Sequence, residues 1–310
     1  MRLESIRITL RLHRFELVTL VLATLVTIAA AFLVASVLDG IDIAKACLPD
    51  ANASVGPLCE KARQDFNDIS YGQGSQVELL LNLLPVVAAL ILGASIVGRE
   101  MERGTTRLAW SLTPARVPWY VARTLPILLV LIVASVLIGL AADRLVGARN
   151  PGMDVVNSFA SNGARGLPIA GRAMASFALG VLGGAVLGKE LPAFVLAFVA
   201  VIGMIVGVGR LDQQILTGEA IVQDTETPAS GDLYIDSMFR MPDGHLASWQ
   251  EAFPDGQAID QSQMPPQVTI AVPAARYGFA SARSAGEYAA IGLAGLVLAA
   301  GVATRRSPGT

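Results

Sequence analysis

Apolar residues in this chain neither alternate nor recur every third or fourth place; they run on without interruption. Positions 17–38 hold 22 residues without one charge, and 79–98 and 191–209 repeat the pattern. A further charge-free run goes from Leu125 to Ala142, and its span is read over 125–146. A helix needs about 20 such residues to cross roughly 30 Å of hydrocarbon. Two stretches carry the signal more weakly: 167–187, which includes Arg172, and a short Ala- and Gly-rich run starting at Tyr288. The pattern predicts an all-α integral membrane protein with six transmembrane helices.

The segments between the runs complete the expected plan. Residues 1–16 read as an amphipathic interfacial helix, because Arg7, Arg11 and Arg14 recur at i, i+4 and i+7 and share a face. Such arginines suit the anionic headgroups of membrane lipid; the plainer reading is a positive flank that only orients the first span. Spans one to five occupy 17–209, with a loop at 99–124. Between spans four and five stand only Gly188, Lys189 and Glu190, a turn that makes an antiparallel helical hairpin. Residues 210–287 are too long for a turn and read as an extracytoplasmic subdomain between the fifth and sixth spans. Within it, 233–241, the turn Pro242-Asp-Gly244 and 245–249 read as strand–turn–strand. The sixth span and a tail fill 288–310.

Charge sets the orientation. Only 15% of the chain is charged, against about 25% in soluble domains. With the amino terminus inside, the inner segments total +7 and the outer ones −9, and 12 of the 23 basic residues crowd into the shorter inner set. Arginine collects on the cytoplasmic side, so the reading is a multi-pass protein of the cell (plasma) membrane with both termini cytoplasmic. The first span is too long for the apolar core of a cleaved signal peptide. Cys47 and Cys59 then share the first outer loop, where an oxidising compartment favours a disulfide over two free thiols. They, His13 and His245 are the whole Cys and His inventory, which leaves no metal site.

Candidate chemistry is sparse. Gly183 to Lys189 fits G-x-x-x-x-G-K, but Glu190 stands where Ser or Thr is needed and no strand precedes it. Gly180, Gly184 and Gly188, and on the next span Gly203 and Gly207, instead read as small residues for helix packing. Ionisable groups at membrane depth are few, which argues against a proton-driven carrier. No catalytic set occurs, so the chain is not read as an enzyme. Nothing in it points to nucleic acid.

The inner loop is richer. It reads Gly98-Arg-Glu100-Met-Glu102-Arg103-Gly104-Thr105-Thr-Arg107-Leu-Ala-Trp110-Ser, with Arg116 following. Gly104 suits the end of a helix prolonged from the second span, and Thr105 or Thr106 can cap a new short helix carrying Arg107 and Trp110. This stretch resembles the loop between the second and third spans of type-2 ATP-binding-cassette exporter permeases, in which an E-x-E-x-G-T region leads into a coupling helix. The resemblance implies a permease subunit that forms the substrate pathway and couples to a separate ABC-type ATPase subunit. Glu100, Glu102, Arg103, Gly104, Thr105, Arg107 and Trp110 would make or orient that contact. It further implies a second permease copy or a paralogue. ATP and Mg would bind in the partner, and no cofactor in this chain. The competing readings are an ATPase-independent channel or carrier and a membrane receptor with an extracytoplasmic ligand-binding domain.

Overall fold

The computed structural model describes residues 3–41, 43, 47, 56–104, 116–225, 227–253 and 264–305. They form two compact units, one of Met1–Pro151, Gly163–Val208 and Ser281–Thr310, the other of Gly152–Asn162 and Gly209–Ala280. Six helices among the described residues are long and apolar enough to span a membrane. The all-α membrane class therefore stands, with one small sheet added.

In chain order the helices are α1 (Leu3–Leu12), α2 (Arg14–Gly40), α3 (Pro57–Ile69), α4 (Ser75–Glu102), α5 (Arg116–Arg149), α6 (Leu167–Leu187) and α7 (Glu190–Gly218). After the strands come α8 (Trp249–Ala252) and α9 (Tyr277–Arg305). The expected interfacial helix over 1–16 is cut short: the backbone turns at His13, so Arg14 opens α2 instead of closing α1. Within the polar segment 39–78, the described residues 57–78 are helical. They hold α3, which runs through the π turn Ser70–Gly74 into α4. A disulfide joins Cys59 on α3 to Cys47.

α6 is the centre of the first unit. Ala173, Ala175, Phe177, Ala178, Val181 and Ala185 are fully buried on it. Lipid offers no hydrophobic drive between helices, so close backbone approach must supply the packing. A Cβ on Gly93 of α4 would lie 2.2 Å from the Phe177 carbonyl oxygen, and one on Gly180 would lie 2.8 Å from that of Leu90. Gly184 meets the Gly98 amide in the same way at 2.9 Å, and Gly183 faces the Ala193 carbonyl of α7 at 2.9 Å. Gly171 approaches Ala285 of α9 at 2.8 Å.

Two of the five glycines expected to pack make no close helix contact among the described residues, and a third caps a helix. Gly188 adopts φ +65° and ends α6 as its left-handed cap, its amide donating to the Gly184 carbonyl; a side chain there is strained. A Cβ on Gly203 or Gly207 would meet nothing outside its own helix within 4 Å among the described residues. The reason is helical phase: α7 turns Ala193, Ala197 and Val201 inward, and Gly203 lies about 200° further round.

Charged side chains at the α6-start end satisfy one another. Arg165, 2% exposed, meets Asp143 at 2.9 Å, while Arg149 pairs with Glu78 and Arg144 with Asp39. Arg172 donates to Asn82 Oδ1 at 3.2 Å and to the Gly163 carbonyl.

The second unit carries an antiparallel sheet of β1 (Ile221–Gln223), β2 (Leu233–Arg240), β3 (Leu246–Ala247) and β4 (Gln267–Val272), in the order β1-β4-β2-β3. β2 and β3 form the hairpin anticipated from Pro242-Asp-Gly244, with Gly244 at φ +89° in the turn. Phe239, Trp249 and Phe253 pack ring to ring over its end, at 4.8 to 5.5 Å. The central strand β4 was not anticipated. Nor was the contribution of Gly152–Asn162, which buries Phe159 against Leu216, Val272 and Tyr277.

Candidate functional site

Charged side chains gather at the opposite end of the first unit, where α1 begins and α4 stops. Arg99, near the end of α4, is the hub. Its Nη1 donates to Glu16 Oε1 of α2 at 2.9 Å, its Nε to Glu190 Oε2 of α7 at 3.0 Å, and its Nη2 to Glu190 Oε1 at 2.7 Å. Only a planar guanidinium can serve one carboxylate bidentately and a second from its remaining edge. Glu102, one turn on, accepts from the Glu190 amide at 3.0 Å. A carboxylate there satisfies an orphan N–H at the start of α7 and meets the positive end of its dipole. Gly98 lets the two backbones come this close, since its Cβ would lie 3.3 Å from Glu190 Cα.

The neighbouring residues face the other way. Glu100 pairs with Arg123 of α5 at 3.2 Å, and both side chains are more than four-fifths buried. Arg123 Nη1 also donates to Thr9 Oγ1 at 3.4 Å, and the buried Thr9 hydroxyl donates to the Ala122 carbonyl at 3.1 Å. α1 is thereby docked on the first turns of α5. His13 is buried in the turn between α1 and α2, with its Nδ1 3.9 Å from Glu16. Burial lowers its pKa from the ordinary value of 6.5, and Glu16 opposes that shift only partly.

The remaining sequence-selected residues separate into two groups. Arg7, Arg11 and Arg14 are exposed, as are Ile8, Leu12 and Phe15 beside them. Arg103 is exposed at the end of α4, and Gly104 follows at φ +71°, the conformation that lets the chain leave the helix sharply. Thr105, Arg107 and Trp110 lie outside the described residues. So the stretch Arg99–Arg103 divides by helical phase: Arg99 and Glu102 reach α7, Glu100 reaches α5, and Arg103 is exposed, touching α7 only through its charge on Glu190.

On the far side of 105–115, Arg116 Nη1 donates to the Thr304 carbonyl in the last turn of α9 at 2.6 Å. A guanidinium at a helix C-terminus satisfies carbonyls with no intrahelical partner. Tyr120, one turn further, donates to the Leu296 carbonyl at 3.0 Å. Both flanks of 105–115 are thus anchored: one to α2 and α7 through Arg99, the other to α9 through Arg116. Neither Glu16 nor Glu190 was singled out in the sequence.

A family model described as ABC-2 membrane transporter related matches residues 17–211. That range takes in α2 to α7 nearly whole and ends before the sheet. No curated protein matches the chain. No solved structure matches it either.

Proposed function

The chain belongs to the ABC-2 membrane transporter related family, and on that premise we propose that it is the transmembrane permease subunit of an ATP-driven exporter. It works with a separate ATPase subunit, which binds ATP and Mg, and with a second permease copy or paralogue. The α1 end faces the cytoplasm of the cell membrane, both termini lie on that side, and 105–115 is the segment that docks on the ATPase.

The observation that carries this reading is the anchoring of both flanks of 105–115. A push on that segment enters α4 through Gly104 and α5 through Arg116. Arg99 passes it at once to α2 and α7, and Glu100 passes it to α5. Force transmission of this kind needs rigid, satisfied polar contacts and no catalytic group. The division of labour within the loop also changes. Glu100 and Glu102 are engaged inside the chain, so they orient the segment, while Arg103, Thr105, Arg107 and Trp110 supply the contact.

Purification of the tagged chain from its native membrane in mild detergent tests this. An ABC-type ATPase should co-purify in equal amount and be lost on Arg107→Glu or Trp110→Ala without change in the thermal stability of the permease. A chain that runs alone, or keeps its ATPase in both variants, moves the reading to a self-sufficient channel or receptor.

A further inference from the structure

An apolar groove of about 270 Å³ runs between α2 and α4. Phe15, Leu20 and Ala23 form one wall, and Leu84, Ala88 and Leu92 the other. Both helices are long and apolar enough to span the bilayer, so the groove opens to hydrocarbon along its length. Glu16 stands at its α1 end, but that carboxylate is already neutralised by Arg99 at 2.9 Å.

The same end carries exposed cations with no ion pair among the described residues. Arg14 immediately precedes the groove residue Phe15, and both Arg14 and Arg11 are exposed. Ile8, Leu12 and Phe15, at 54%, 58% and 78% exposure, stand among the arginines. Water would not tolerate those three side chains side by side at no cost, whereas an interface would accept ring, aliphatic and guanidinium together. The occupant must be apolar for the length of the groove and negatively charged at its head. A zwitterionic lipid meets the first condition but brings its own cation toward Arg11 and Arg14.

We propose that this groove is a specific site for an anionic phospholipid, with one acyl chain between α2 and α4 and the headgroup phosphate on Arg11 and Arg14. The site rests on the membrane spans alone and not on the ATPase reading. It gives α1 a lipid ligand on the face opposite the one that Thr9 buries on α5.

The test uses the full chain, delipidated in detergent, with phosphatidylglycerol or phosphatidylcholine added back. Bound lipid is read by native mass spectrometry and stability by thermal unfolding. Phosphatidylglycerol should bind tighter and raise Tm further than phosphatidylcholine. Arg11→Gln with Arg14→Gln should weaken phosphatidylglycerol binding roughly 30-fold and leave the phosphatidylcholine response unchanged, while the paired lysine variant keeps the preference. Ala88→Phe, which fills the groove, should reduce binding with both arginines present. Equal responses to the two lipids in the unmodified chain overturn the proposal, as does a preference that survives the double glutamine variant. Loss of a co-purifying ATPase in that variant, with lipid binding intact, would assign the arginines to a protein contact instead.

Discussion

Arg99 grips Glu190 through two parallel hydrogen bonds, at 3.0 and 2.7 Å, across 91 residues of sequence. The pair closes the α6–α7 hairpin onto the end of α4, and Glu16 occupies the guanidinium's other edge. Removing the arginine leaves two carboxylates facing each other. The side chains are about a third exposed, so the loss is moderated by solvent. Arg99→Met should cost about 1–2 kcal/mol, read as a lower Tm in detergent. Arg99→Lys should recover only part of it, because an ammonium cannot bridge both carboxylates in plane.

Helix contact makes a sharper prediction. Gly93→Ala would place a methyl group 2.2 Å from a carbonyl oxygen that belongs to helix backbone and cannot move aside. We expect about 3 kcal/mol of destabilisation and poor recovery from membranes. Gly203→Ala has open space around it and should stay within about 0.5 kcal/mol of the unmodified protein. Expression and unfolding of the two variants side by side check this.

The Cys47–Cys59 bridge closes a loop of sequence separation 12. A loop of this size should contribute about 2–3 kcal/mol to the hold of α3, so mild reductant should lower Tm and Cys59→Ser should abolish that response. The same chemistry reports sidedness. After reduction in intact cells, a membrane-impermeant maleimide should label both thiols, and a cysteine placed at Lys189 should remain unlabelled. Labelling in the reverse pattern would invert the proposed orientation.

A pH dependence follows from His13. Burial keeps its imidazole from protonating at the ordinary value of 6.5. The unfolded chain takes up the proton first as pH falls, so stability drops below that value and is fully present above it. His13→Gln should flatten the dependence of Tm between about pH 7.5 and about pH 5.5, whereas the unmodified chain should lose stability across that interval.

The spans were legible because a run such as 17–38 has one physical solution in a bilayer. The Gly188 turn was legible too, from the brevity of the connection. What escaped was contact between distant positions. Glu16 and Arg99 lie 83 residues apart, and a glutamate beside the first span reads as an ordinary flank. Gly93 has no glycine four places away, so the packing pattern that drew attention to Gly180 and Gly184 passed over the tightest approach in the unit. The turn at His13 lacks the Pro or Gly that usually marks a break. The strand β4 is only six residues long, and it pairs with β1 and β2 instead of a sequence neighbour.

The contact of Gly93 and Gly180 bears on how the spans can rearrange. Two backbones that touch at van der Waals distance, with carbonyls seated where side chains would be, can neither slide a residue past one another nor rotate without collision. α4 and α6 must therefore travel as a single stiff beam. Any opening of a path through the bilayer has to come from helices that hinge against that beam. α2 borders an open groove where it faces α4, and its tie to that beam at Glu16–Arg99 makes that end the hinge.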